Sequence, residues 1–468
     1  MSKKSTMPFW LVRFKNFMLL LLKNKLAAVG LFLMALFIIM AVAAPLLTPY
    51  SPFQPVTGKY YPPTWITLIK GPVGYSQNTH FSALTVNASG LATIANVQTH
   101  SADLTFQNSP TGTVWIVETL NYPYQGSPIS FSGLATINVA SINSPFTVTA
   151  FVDRIGVSRF PVWLPTQVNT TGQFGPNPRI DSSTGPFNQQ LGIAPEFSSA
   201  GYVFAAEKAA YKYVLQISVP SGFTGQIQVK DLEMNLTGNT WGILGTDWQG
   251  EDVYTQVVYG ARLSLLVGLV ATSLGIGIGL LIGLMAGYLG KIVDEVLMRT
   301  ADMLLVIPFL PLLIVLVATI GASLLYVMIL IGIFSWMGFA RIVRSQVLSL
   351  RERPFIEAAK ASGAGTGYIT VRHIFPNIVS LTYVNLALTV PAAIVTEAAL
   401  SFLGLSDSTV VTWGSMLGTA NEQGATVSNI AWWWILPPGL SIALISLAFI
   451  LIGYALDELF NPRLRRRR

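Results

Sequence analysis

The sequence predicts an α-helical polytopic membrane protein of six transmembrane helices, interrupted by an inserted all-β extracytoplasmic domain. Three observations predict it. The 468 residues are 52% hydrophobic and only 10% charged, against about 25% charged in ordinary soluble domains. Several runs are long, apolar and nearly free of charge. Between the first run and the rest lies a stretch of some other character, rich in Ser, Thr, Asn, Gly and Pro.

The elements follow in order. Residues 1–25 form a cytoplasmic segment carrying Lys3, Lys4, Arg13, Lys15, Lys23 and Lys25 without an acidic residue. A bilayer core of about 30 Å takes about 20 apolar residues of helix. Leu26 to Leu47 supplies the first span, over 26–47. It is longer than the apolar part of a cleaved leader and lacks an obvious small-residue cleavage site after it, so it reads as a retained helix. Five more spans are expected in the 241–460 core, near Leu263–Tyr288, Met303–Ile320, Leu324–Ala340, Ile378–Leu403 and Ile435–Leu456. Pro308 and Pro311 predict that the third is kinked or begins late. A basic tail, 461–468, closes the chain.

Lys and Arg near the helix ends set the orientation. The N-terminal cluster, the loop with Arg341, Arg344, Arg351, Arg353, Lys360 and Arg372, and the tail with Arg463 and Arg465 to Arg468 all fall on one side of a six-span chain. That side is the cytoplasm, with both termini inside. The opposite side leans acidic, at Asp247, Glu251, Asp252, Asp407 and Glu422. The net charge of +7 thus marks topology and calls for no nucleic-acid partner.

Residues 48–240 read as the β-rich domain. Apolar and polar residues alternate in Thr113-Val-Trp-Ile-Val-Glu and Gln226-Ile-Gln-Val-Lys, with Gly, Pro and Asn punctuation. A sandwich over about 55–240 is the expected architecture. The string Ser-Gly-Leu-Ala-Thr-Ile, at 89–94 and again at 132–137, suggests a duplicated strand-turn unit. Asn87, Asn169 and Asn235 each open an N-x-S/T glycosylation sequon. Two roles stand open for this domain: docking of a solute-binding protein, substrate or surface layer, or bracing of the outer face. Trp115, Tyr122, Tyr124 and Trp163 are expected in its core rather than lining a sugar or peptide site.

Several chemistries are excluded. There is no cysteine, so disulfides and thiolate chemistry are absent. His80, His100 and His373 are far apart, and nothing supports a metal site. No phosphate-binding G-x-x-x-x-G-K-[ST] loop occurs, so the chain should bind no ATP itself. No nucleophile-base set points to an enzyme.

The inner stretch from Arg351 to Asn377, RERPFIEAAKASGAGTGYITVRHIFPN, is too polar to span. It predicts two short helices joined by a turn at Gly363 and Gly365, with Pro376 opening the next helix. Glu357-Ala358-Ala359, Gly363 and the hydrophobic-Pro ending at Pro376 resemble the EAA signature of ABC import permeases. Arg372, His373, Pro376 and Asn377 resemble that family's tail motif, with Phe375 where Leu is usual.

Further matches place the likeness in the dipeptide/oligopeptide/nickel branch, nearer its C-type permease. They are Leu244-Gly-Thr-Asp, Tyr259-Gly-Ala-Arg, Asp294 to Asp302, Glu397-Ala-Ala-Leu-Ser-Phe-Leu-Gly, Trp413-Gly-Ser-Met and Asn461-Pro-Arg-Leu. Glu251 stands where Arg is usual. The resemblance covers about 240–464 and, in kind, the first helix. It implies an ABC importer type I permease fold. It also implies a second homologous permease subunit, two ATP-binding subunits that carry ATP and Mg, and an extracellular solute-binding protein as partners. Glu357 would anchor the coupling loop by ion pairing, and Gly363 would form its turn. The implied cargo is peptides, oligosaccharides or nickel.

Arg262 and Glu397 lie at or inside spans, so each reads either as a pathway-lining charge or as a structural or interfacial one. Gly275, Gly277, Gly279 and Gly283 predict close helix packing. Trp432, Trp433 and Trp434 predict an interfacial aromatic belt. Two rival functions remain at this point: an ion-gradient-driven secondary transporter, and a surface binding protein anchored by its helices.

Overall fold

The computed structural model describes residues 17–69, 74–194, 197–204, 208–425 and 431–460. The predicted basic clusters at Lys3, Lys4, Arg13 and Lys15 and at 461–468 lie outside the described residues. The chain divides into two compact units, Met1–Tyr60 with Thr246–Arg468, and Tyr61–Gly245.

In the helical unit, five helices are long and apolar enough to cross a membrane, and a sharply bent pair accounts for a sixth candidate. Helix α1, Lys25–Val42, starts where the Asn24 side chain accepts from the Leu26 amide at 3.0 Å. Helix α2, Val253–Leu289, is capped by Asp252, which accepts from Thr255 N at 2.9 Å. Its 37 residues make it about 55 Å long. It begins ten residues ahead of the predicted Leu263. The first turns mix polar with apolar residues, and Val253, Val257, Val258 and Ala261 pack inward.

Helix α3, Lys291–Val306, and α4, Phe309–Ile320, meet at 84°. Ile307, held extended before Pro308, makes the bend, as the two prolines predict. Helix α5, Leu324–Ile333, and α6, Trp336–Arg351, follow with a break at Phe334 and Ser335. Four glycines of α2 lie along α6. A Cβ on Gly279 would meet Trp336 O at 2.8 Å, one on Gly283 Ala340 O at 2.6 Å, and one on Gly287 Val347 Cβ at 2.6 Å. Gly275 abuts Ser335 in the same row, whereas Gly277 faces open space. The packing stripe is therefore 275, 279, 283 and 287, the i,i+4 row of one helix face, and Gly277 is not part of it.

After α6 come α7, Pro354–Ala361, and α8, Thr366–Ile369, which runs through a π-helical turn, Thr370–Ile374, into α9, Phe375–Phe402. Pro376 stands in the first turn of α9, as expected, but α9 continues α8 through the π turn rather than starting after a loop. Its missing N–H falls just past the π turn, whose wider register accommodates it. Helix α10, Trp413–Glu422, and α11, Trp432–Phe460, complete the unit. Trp433 and Trp434 are buried and Trp433 Nε1 donates to Thr246 O at 3.1 Å, so these two are packing residues rather than a lipid-facing belt.

The second unit consists chiefly of strands. One sheet runs β10-β6-β12-β4-β3, with β1 on β12 and β9 on β6; the other runs β2-β5-β11-β7-β8. The long members are β4 Ser101–Ser109, β5 Gly112–Tyr122, β6 Ser130–Ile142, β7 Phe146–Arg154, β8 Ser158–Val168, β11 Ala209–Val219 and β12 Phe223–Thr237. The short ones are β1 Thr79–His80, β2 Ser82–Asn87, β3 Thr93–Gln98, β9 Gly172–Phe174 and β10 Ile180–Asp181. The strand pairings among the described residues are antiparallel; β11, for example, pairs Leu215 with Ile116 and with Ala150. Leu104, Ile137 and Ile227 of one sheet share a core with Ile116, Val148 and Leu215 of the other, as alternation requires.

Tyr122 and Trp163 are buried, while Trp115 and Tyr124 are half-buried. The repeated hexapeptide does not mark a duplicated unit. At 89–92 it is a turn with Ser89 and Gly90 at positive φ, and at 132–137 it is strand β6. Identical local sequence takes two conformations because sheet partners override propensity. Asn87 and Asn169 are exposed, but Asn235 sits mid-sheet between His80 of β1 and Ser132 of β6.

Candidate coupling site

The stretch 353–377 forms a knob. Pro354 takes the first turn of α7, where its absent N–H costs nothing. One face of α7 is buried through Ile356 (0% exposed), and Ile369 and Ile374 add 1% and 0%. These three isoleucines join Leu284, Phe339, Val343 and Val347 of α2 and α6 in one apolar cluster. Gly363, at φ +81, makes the turn expected of it; Gly363 N donates to Lys360 O at 2.9 Å and Ala364 N to Ala359 O at 3.0 Å.

The opposite face is open. Phe355, Tyr368 and Val371 are 44%, 58% and 68% exposed, beside exposed Glu357, Ala358, Arg372, Pro376 and Asn377. Ala359 and His373 are half-buried. The Tyr368 and Phe355 rings lie 5.7 Å and 6.4 Å from that of His373, and Asn377 Nδ2 donates to His373 O at 2.6 Å. Glu357 makes no ion pair among the described residues; the loop's anchor within this chain is Ile356. The apolar residue immediately before Glu357 was the available signal for that anchor.

Two carboxylate–guanidinium pairs tie α3 to α6. Arg344 engages Asp294 with Nε and Nη2, the latter at 2.6 Å, and Arg341 engages Asp302. Lys360 of α7 lies 5.9 Å from the Tyr288 ring centroid.

At the other end of α2, Gln256 Nε2 donates to Asp247 Oδ2 at 2.8 Å and to Glu251 Oε2 at 2.7 Å. Asp247 also accepts from the Gln249 and Glu251 amides at 2.8 and 2.9 Å. Burial, and after it the neighbouring Asp247, pushes the Glu251 carboxyl up to about 7. The segment is closed by Gly250, at φ +86, whose O accepts from Val56 N at 2.8 Å.

Glu397 is 2% exposed and accepts from Ser401 Oγ at 2.9 Å and Thr412 Oγ1 at 2.8 Å. It is a buried hydrogen-bond acceptor, with no cationic partner among the described residues. Arg262 is exposed on α2 and likewise unpaired there. A cavity of about 270 Å³ is bounded by Asp247, Glu251, Asp407, Glu422 and Trp434, and neither Glu397 nor Arg262 lines it. Among the described residues no group of three His, Cys, Asp or Glu could hold a metal.

In the β unit, Glu118 is fully buried and pairs with His100 Nδ1 at 2.9 Å. Burial pushes its carboxyl up to about 7, partly offset by His100. The same alternation that predicts β5 places Glu118 on the inward face with Val114 and Ile116, a signal unread in the sequence.

Two family models match the chain. The binding-protein-dependent transport system inner membrane component matches 279–466, and the N-terminal TM domain of oligopeptide transport permease C matches 13–63. Neither covers the β unit. The dipeptide transport system permease protein DppC of Bacillus subtilis is 37% identical over 50% of this chain and 72% of its own length. The oligopeptide transport system permease protein OppC of Haemophilus influenzae is 36% identical over 47% and 70%. A solved structure of the MetNI methionine ABC transporter, inward facing, is 20% identical with a TM-score of 0.35, covering 44% of this chain and 95% of that one. With the matches over 279–466 and 13–63 and the relatives' identity together, the chain belongs to the binding-protein-dependent transport system inner membrane components, as an ABC importer permease of the dipeptide/oligopeptide branch.

Proposed function

We propose that this chain forms half of the translocation pathway of an ATP-driven peptide importer and couples to its ATPases through the 353–377 knob. The observation that carries this reading is the knob's two-sidedness. Its inner face is locked to α2 and α6 by three buried isoleucines, and its outer face presents Phe355, Glu357, Tyr368 and Arg372 with no cover among the described residues. A rigid projection of this kind suits a cleft on a separate subunit. Only a partner that grips it differently in two nucleotide states shifts the permease between conformations.

A second, homologous permease completes the pathway, two ATP-binding subunits hold ATP and Mg, and an external binding protein delivers the solute. The termini lie in the cytoplasm and the β unit outside. The names of the relatives support peptides over oligosaccharides or nickel. Asn87 and Asn169, being exposed, are the sequons open to glycosylation; Asn235 is not. The β unit is dispensable for the transport step if it only braces the outer face. Deleting 61–245 while keeping ATP-dependent uptake would also dispose of the anchored-surface-protein reading.

The test is reconstitution with the four partner proteins in proteoliposomes. Uptake of a labelled peptide should require ATP and survive collapse of proton and sodium gradients. Glu357→Ala with Gly363→Pro should abolish it and weaken association with the ATPase subunits. Full uptake by that double variant refutes the coupling role, and uptake driven by an ion gradient without ATP refutes the class.

A further inference from the structure

Helix α3 is jointed at both ends. It meets α2 at Gly290 and Lys291, both at positive φ (64° and 52°), and α4 across the 84° bend. Helices α2 and α6, by contrast, are fused along the glycine row, and α6 leads directly into the knob. Among the described residues, α3 is tied to that fused pair by one apolar cluster, in which Met298, Ala301 and Leu304 meet Trp336, Met337 and Ala340 of α6 and Ile278 and Ile282 of α2, and by the two ion pairs. Asp294 and Arg344 are 17% and 35% exposed, whereas Asp302 and Arg341 are 58% and 49%. Exposed ion pairs add little stability, but a forked guanidinium–carboxylate contact fixes orientation.

We infer that Asp294 and Arg344 are positioning residues for transport. Their two-pronged contact, backed by Asp302 and Arg341, makes α3 follow α6, so that displacement of the knob reaches the bent third span. This rests on the ABC-importer reading above. Without the pair, α3 can pivot on its joints while the knob still moves, and ATP hydrolysis proceeds with little cargo moved.

The test uses the full importer in proteoliposomes, read for ATP hydrolysis and peptide uptake together. Asp294→Asn should leave hydrolysis within about twofold and lower uptake about tenfold, within the usual span of coupling effects. Arg344→Lys keeps the charge but loses the fork, and should fall between parent and Asp294→Asn. Asp294→Arg with Arg344→Asp should bring uptake back to within about threefold of the parent.

The absence of cysteine allows nitroxides at Glu352→Cys and Arg299→Cys, introduced before assembly. The parent should hold one distance in both nucleotide states, and Asp302→Asn should broaden it even if Asp294→Asn fails to assemble. Parent-like uptake by the single variants, a reversed pair no better than either single change, or an unbroadened distance overturns the inference. A parent complex that takes up nothing with ATP would instead overturn the functional reading.

Discussion

Ile356→Ala tests the knob's foundation. Helix α7 has eight residues, too few to be stable in isolation, so its form depends on docking. Ile356 is fully buried in the cluster with Val343 and Val347. Replacing such an isoleucine by alanine costs about 2–5 kcal/mol. At about 3 kcal/mol the docking equilibrium shifts roughly 100-fold. Amide hydrogen exchange over 358–364 should quicken by about that factor while the amides of α2 keep their protection. ATP-dependent uptake should fall in step. Phe355→Ala removes a 44%-exposed ring on the other face. It should leave exchange unchanged and weaken only the grip of the ATPase subunit. If Ile356→Ala leaves exchange within about twofold of the parent, the apolar anchor is not what holds the knob.

Other expectations follow from the packing and the charges. Gly283→Val must displace Ala340 O and Val343 and should lower the thermal midpoint of the detergent-solubilised protein by several degrees. Gly277→Ala, facing open space, should raise it slightly by removing about 0.5–1 kcal/mol of glycine's helix penalty. Because the folded state raises the Glu251 carboxyl to about 7, it binds more protons than the unfolded chain between about 4.5 and 7. Protection of the Gly250–Asp252 turn should therefore decline as pH rises through that window and level off above it. Glu251→Gln should flatten the profile, and an unchanged slope would remove Glu251 as its source. Glu118→Gln should likewise reduce the pH dependence of β-unit unfolding over the same window, followed by exchange at β5.

Much of the helical unit was legible because apolar length is a local property. The bend at Pro308 was legible too, since proline acts on its own neighbours. The start of α2 was not: Val253–Arg262 is polar enough to pass for a loop, and only the Asp252 cap and distant packing make it helix. The continuity of α8 with α9 was hidden because Pro376 ordinarily signals a beginning, and a π turn is not written in any residue type. For the knob, the glycine turn was readable, whereas no described residue of this chain pairs with Glu357. The isoleucine beside it needed α2 and α6 to reveal its role. Strand order depends on chain closure over long separations, whereas the meeting of Asp247 with Glu251 under Gln256 is local and follows from the turn that leads into α2.

The π turn has one further consequence. From Thr366 to Phe402 the chain is a single helix of 37 residues, about 55 Å from end to end, with the knob at one tip and the Glu397–Thr412 hydrogen bond near the other. Such a rod behaves as a pushrod: a thrust at the knob tip arrives at the far one without intervening loops to absorb it. Its give is confined to the widened turn at 370–374 and to Pro391, and stiffening either place would change how much the far tip travels for a given thrust.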